Sequence, residues 1–135
     1  MTSRRKPPSQ RQLRVGEMIR HALADILLTR RLDEPDLDTA LITVTEVEAS
    51  PDLKHATVFV RPLTDAMRDG LEERLNARAG RIRGLLAGPL RRLRYMPRLS
   101  FRLDPAQDHA SHIDGLLRDP RVARDLGGGA EDDDG

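Results

Sequence analysis

Apolar positions recur with a helical period near the start of the chain: Val15, Met18, Ile19, Ala22, Leu23, Ile26 and Leu27 fall on one face. This is the spacing an amphipathic helix needs to cover a core. Arg11, Arg14, Glu17, His21 and Asp25 fall on the other face. Ser9, with Gln12 three residues later, makes the Ser-x-x-Gln form of a capping box, so the sequence predicts a helix over 10–30. The period then shortens to two. "ALITVTEVEA" is rich in β-branched residues, and "ATVFVR" alternates with Ala56, Val58 and Val60 on one side. Between them "SPDLK" places Pro51 at the second turn position, flanked by Ser50 and Asp52, which suits a type I turn and an antiparallel hairpin.

From Asp65 the helical spacing returns through Met67, Leu71, Leu75, Ala79, Ile82, Leu86, Leu90 and Leu93. One straight rod does not follow. An interior glycine costs roughly 1 kcal/mol relative to alanine, Gly80, Gly84 and Gly88 recur every fourth residue, and Pro89 clashes with the carbonyl four residues back. The expected solution is a kink near Ala79 and Gly80 and a break near Gly88-Pro89. Leu99, Phe101 and Leu103 alternate as a third strand, and "HASHIDGLLRDP" predicts a short closing helix ended by Pro120. The order is helix, strand, strand, helix, kinked helix, strand: a two-layer α+β domain with a three-stranded sheet and helices on one face. Its expected span is 9–120, between a flexible basic arm at 1–8 and a disordered Gly-rich acidic tail at 121–135.

A chain of 135 residues supports one core of ordinary size. It contains no cysteine, which excludes disulfides and thiolate zinc sites and is compatible with a reducing cytoplasm. No apolar run reaches the length of a signal peptide or membrane span, so a cytoplasmic protein without membrane contact is the default expectation. The formal net charge of +1 hides an asymmetry. Four acids sit in the terminal "EDDD", and between Glu73 and Asp104 there is none, whereas Arg74, Arg78, Arg81, Arg83, Arg91, Arg92, Arg94, Arg98 and Arg102 all fall there. Such a block is either a solvated helix face or a polyanion-binding surface.

The sequence resembles the ribosome-binding factor A family. The resemblance covers residues 9–117 and rests on "RVGEMIRHALADIL", on "LITVTEVEASPDLKHATVFVRPL", and on "LNARAGRIRGLL" followed by "RLRYMPRLSFRLDP". It implies a type II KH-like fold and a non-enzymatic, monomeric, cytoplasmic protein without cofactors. It further implies binding to the 30S subunit and its 16S rRNA late in maturation, including processing of the 5′ end, with most importance in the cold. A ribosome-assembly GTPase is a further candidate partner. The family is similar to KH domains but has an Ala-x-Gly kink where those have Gly-x-x-Gly. Gly80 matches the glycine of that kink, while Arg78 stands at the alanine position, between Ala77 and Ala79, and departs from the pattern.

Without a Gly-x-x-Gly clamp, and with two Phe, one Tyr and no Trp, sequence-specific reading of single strands is not expected, and binding through shape and phosphates is. The candidate RNA-binding residues are Arg78, Gly80, Arg81, Arg83, Arg91, Arg92 and Arg94, with Arg11, Arg14 and Lys54 as a second group. Guanidinium groups fork onto phosphates or stack on unpaired bases. The glycine ridge fits close approach either of a phosphodiester chain or of a neighbouring element. Phe101 belongs to the apolar phase of its strand, and Tyr95 stays open between core and base stacking. His109 and His112 lie one helical turn apart, but two imidazoles are too few for a metal site. No nucleophile-base pair, phosphate loop or isolated carboxylate pair supports catalysis. Two other classes remain: a protein-interaction adaptor and a generic single-strand RNA binder.

Overall fold

Ser9 opens the first helix through the reciprocal bonds of a capping box. Gln12 N donates to Ser9 Oγ at 3.0 Å and Ser9 N donates to Gln12 Oε1 at 2.9 Å, so two backbone donors at the helix start are satisfied locally. The structure is a computed structural model that describes residues 7–105. The expected closing helix and acidic tail lie outside the described residues, as does most of the N-terminal arm. Helix α1 spans Gln10–Leu28, and Val15, Ile19, Leu23, Ile26 and Leu27 are its buried side chains. It stops two residues short of the expected end, because Thr29 Oγ1 donates to Asp25 O at 2.7 Å and Arg30 turns into the left-handed region at φ 56°.

Strands β1 (Ile42–Ala49) and β2 (His55–Pro62) pair antiparallel. The turn is closed by Leu53 N donating to Ser50 O and Ser50 N donating to His55 O, each at 2.8 Å. In β1 the register shifts between Val44 and Glu46, leaving Thr45 as the extra residue of a bulge. The buried positions Ile42 and Val44 are therefore followed by Val47 and Ala49, and the bulge keeps all four on the core side. Ala56, Val58 and Val60 alternate into the core as expected.

The second helical region departs from expectation at its start. Asp65–Met67 is only a single 3-10 turn, and Gly70 takes a left-handed φ of 75° before α2 begins at Leu71. A residue with a side chain is strained in that conformation, and glycine is not. Helix α2 spans Leu71–Ala77 and α3 spans Ala79–Leu86. The expected break before Pro89 is realised by the end of α3 at Leu86, with Leu90 still buried beyond it. Strand β3 (Arg98–Leu103) runs parallel to β2, which gives the sheet order β1-β2-β3. A parallel neighbour requires a crossover, and α2 and α3 supply it.

Two contacts complete the layers. Gly16 is buried where α1 crosses β1: a Cβ there would lie 2.5 Å from Val47 O. On the free side of β3, Phe101 N donates to Asn76 Oδ1 at 2.7 Å and Asn76 Nδ2 donates to Phe101 O at 3.0 Å. Leu103 N donates to Glu72 Oε2 at 2.7 Å. Side chains of α2 thus pair with the strand as another strand would, which blunts an edge otherwise open to aggregation.

Candidate nucleic-acid interface

The interruption between α2 and α3 falls on Arg78, with φ −106° and ψ 9°, one residue ahead of the expected Ala79 and Gly80. Arg78 N donates to Leu75 O at 3.0 Å, closing α2 with a tight last turn, and Ile82 N donates to Arg78 O at 2.9 Å, opening α3. That backbone conformation is open to any L-residue, so the bend needs no glycine and Gly80 lies inside α3.

A set of ion pairs holds the junction. Arg78 Nε lies 3.0 Å from Glu34 Oε1, and its Nη2 donates to Asp36 Oδ1 and Oδ2 at 2.8 and 2.9 Å. Its Nη1 donates to Arg74 O at 2.8 Å. The Arg78 and Glu34 side chains keep only 18% and 14% of their exposure. The close contact with Glu34 is the largest cause raising the Arg78 pKa, with the Asp36 and Glu34 charges adding to it, which keeps the guanidinium charged. Arg81 pairs with Glu34 as well. Arg83 donates from Nε to Pro97 O at 3.1 Å and from Nη2 to Met96 O at 2.6 Å, bracing the start of β3. These three arginines, in the first group expected to meet RNA, are thus engaged within the domain: two clasp the loop between α1 and β1, and one ties α3 to β3. The acids that hold Arg78 and Arg81 lie more than forty positions away in sequence, where no local pattern announces the pairing.

The remaining cations behave differently. Arg11 from the first turn of α1, Lys54 from the β1–β2 turn, and Arg92 and Arg94 from the segment between α3 and β3 line one cleft of about 720 Å³. None of the four makes a side-chain ion pair or hydrogen bond among the described residues. Val15, Pro51, Leu53 and Leu93 contribute an apolar part of the lining, and Tyr95 and Asp52 complete it. Tyr95 is half exposed at 51%, which answers the question its sequence position left open: it is not a core residue. Asp52 Oδ1 accepts from Ser50 Oγ at 2.7 Å and from Lys54 N at 3.0 Å. The Ser50 hydroxyl, then the Lys54 amide, hold its carboxyl below the ordinary value of 3.8. It is therefore ionised at neutral pH and fixes the backbone that carries Lys54. Asp52, Leu53 and Pro51 read in the sequence only as turn residues.

Arg14 is exposed on α1 and outside this cleft; Arg91 is exposed and, among the described residues, its side chain reaches only Gly88 O, at 3.5 Å. Gly80, Gly84 and Gly88 are exposed, and a Cβ at any of them meets nothing within 4 Å. Packing of the glycine ridge against another described element is thereby excluded. Phe101 is 1% exposed and belongs to the core. No group of three or more metal-ligating side chains occurs among the described residues, and none of their helices is long and apolar enough to cross a membrane. His109 and His112 lie outside the described residues.

Helix-strand-strand-helix-helix-strand order, a mixed three-stranded sheet and a bend in place of a Gly-x-x-Gly clamp define a KH-like α+β domain. The ribosome-binding factor A family model matches residues 11–117, and the chain belongs to that family. It is 49% identical over 127 residues to ribosome-binding factor A of Chelativorans sp. (strain BNC1), covering 94% of this chain and 95% of that protein. It is 47% identical over 132 residues to that of Hyphomonas neptunium, covering 93% and 97%. Among solved structures, the crystal structure of ribosome-binding factor A from Thermus thermophilus superposes with a TM-score of 0.56 at 27% identity, over 68% of this chain and 94% of that one. A Thermus thermophilus ribosome-binding factor A model fitted into a cryo-EM map of its complex with the 30S subunit superposes at 0.53 with 29% identity, over 67% and 91%.

Proposed function

We propose that this chain binds the small ribosomal subunit through its basic cleft and assists late maturation of 16S rRNA, including processing of the 5′ end, with most importance in the cold. It acts in the cytoplasm as a monomer, by binding and without catalysis. The observation that carries the reading is the convergence of Arg11, Lys54, Arg92 and Arg94, from three separate parts of the chain, on one concavity. Cations without a side-chain ion pair or hydrogen bond among the described residues are available to replace the counterions of a phosphate backbone. The Thermus relative fitted on a 30S subunit supports the choice of partner. Within this reading Arg78, Arg81 and Arg83 shape the domain that presents the cleft.

Cosedimentation with purified 30S subunits across a salt series tests the proposal. The chain travels with 30S, and the logarithm of affinity falls linearly with the logarithm of salt concentration. Arg92→Glu combined with Arg94→Glu weakens binding and flattens that slope by about 0.7–0.9 for each phosphate no longer neutralised. A salt-independent association, or one that the double reversal leaves unchanged, refutes it. A protein-interaction adaptor would keep its partner after nuclease treatment, and a generic single-strand binder would hold short unstructured oligonucleotides as tightly as 30S.

A further inference from the structure

The cleft combines features that phosphate binding alone does not require. Phosphates need cations, and a flat or convex patch of arginines serves them. Here the cations share a concavity with Val15, Pro51, Leu53 and Leu93 and with the half-exposed ring of Tyr95. Apolar surface and an aromatic face suit a nucleobase, whose π-face stacks without regard to sequence. The volume of about 720 Å³ falls within the ~300–1,000 Å³ usual for small-molecule sites. Asp52 adds direction. Its carboxylate repels a phosphate placed beside it, yet accepts from the N–H groups on a base edge, and both of its bonds within the turn fall on Oδ1. A ligand with its base toward Asp52 and Tyr95 and its phosphates toward Arg92, Arg94, Arg11 and Lys54 satisfies every group in the lining. A paired base cannot reach this position, because duplex RNA keeps its bases stacked within the helix and their major-groove edges at the floor of a deep, narrow groove.

We propose that the cleft receives one unpaired nucleotide of a folded RNA, its base stacked on Tyr95 against the apolar lining and its flanking phosphates held by Arg92, Arg94, Arg11 and Lys54. The proposal rests on the RNA-binding reading above and deepens it: the chain captures a bulged or extruded nucleotide while the surrounding RNA stays folded. The site is separate from the α2–α3 bend, where a KH clamp would lie, and uses none of Arg78, Gly80 or Arg81. An acidic protein segment fits less well, since it would match the cations and leave the ring and the apolar lining without partners.

Fluorescence anisotropy with the full chain tests this, using an RNA hairpin that carries a single-nucleotide bulge and the same hairpin fully paired. Extruding a paired base is costly and an unpaired one is already free, so the bulged hairpin binds roughly fivefold or more tighter, the lower end of what one stacked base contributes. Tyr95→Phe keeps this ratio and Tyr95→Leu brings it towards one. Because Tyr95 is half exposed, both variants are expected to fold, and a thermal melt verifies it. Equal affinity for the two hairpins, or a ratio that survives Tyr95→Leu, overturns the proposal. So does displacement of the bulged hairpin by an oligoglutamate peptide or by free AMP at micromolar concentration. Cosedimentation with 30S separates the two readings. A chain that binds 30S without preferring the bulge loses only the cleft proposal, whereas one that prefers the bulge and ignores 30S loses the ribosomal reading.

Discussion

Replacing glycine by alanine should have opposite signs at two helical positions of this protein. Gly16 sits in α1 and Gly84 in α3, so in both the new methyl gains helix propensity of about 0.8–1 kcal/mol. At Gly84 the methyl enters open space, and the net effect is a stabilisation of about 0.5–1 kcal/mol. At Gly16 it arrives 2.5 Å from Val47 O, whereas ordinary contact begins near 3.4 Å, so α1 and β1 must separate by about 0.9 Å. Val47 O belongs to the backbone of a paired strand, not to the tip of a flexible side chain, and Val15 and Ile19 on the flanking turns are packed at 6% and 0% exposure. Overpacking of this kind costs up to about 3 kcal/mol, which leaves Gly16→Ala about 2 kcal/mol less stable than the parent. For a domain of this size each kcal/mol moves Tm by about 4–8 °C. Thermal melts followed by circular dichroism, with urea titrations for the free energy, should show Gly16→Ala melting roughly 8–16 °C lower and Gly84→Ala a few degrees higher. A Gly16→Ala protein as stable as the parent would refute the close approach of α1 to β1. A destabilised Gly84→Ala would refute the open setting of the glycine ridge.

Three further outcomes follow from the same geometry. Asn76→Ala removes both bonds to the Phe101 backbone and should cost about 1–3 kcal/mol, the penalty for leaving such groups unpaired; hydrogen exchange at the Phe101 amide should accelerate with it, and unchanged protection would contradict the edge clasp. Arg78→Ala removes the ion pairs to Glu34 and Asp36, leaving Glu34 at 14% exposure with Arg81 alone, and should destabilise by about 1–3 kcal/mol, while a double-mutant cycle with Glu34→Gln should give a favourable coupling; additive effects would deny the pairing. The Asp52 carboxyl is depressed below 3.8 in the folded state, so its contribution is fully present above that value and is lost as pH falls through the folded pKa. Acid titrations of stability should therefore show a loss below pH 3.8 that Asp52→Asn reduces, and identical acid profiles would show that the turn does not hold the carboxylate.

Local chemistry makes much of the fold legible in the amino-acid order alone. The capping box at Ser9 and Gln12, the apolar stripe from Val15 to Leu27, the alternation through Ala56, Val58 and Val60, and Phe101 in its strand all concern residues a few positions apart. Periodicity and capping act at that range, so the sequence carries them. The positions where expectation and structure part are those with distant causes. Glycine chemistry predicts the bend at Ala79 and Gly80, yet it falls on Arg78, whose ion-pair partners lie in the loop between α1 and β1. The helix expected from Asp65 waits for Gly70.

The composition of the arginine block is a property of the sequence, but its division into bracing and available cations is not. Arg78, Arg81 and Arg83 look no different in sequence from Arg92 and Arg94. Only the folded chain brings Glu34, Asp36 and the carbonyls of Met96 and Pro97 to the first three. The same folding draws Arg11 and Lys54 to the other two, around Tyr95. Gly16 follows the same rule, since its value lies in the carbonyl of a strand some thirty residues away. Period and capping determine which elements form because they depend on neighbours along the chain. The electrostatic role of each charged side chain depends on neighbours in space, and those exist only once the layers have packed.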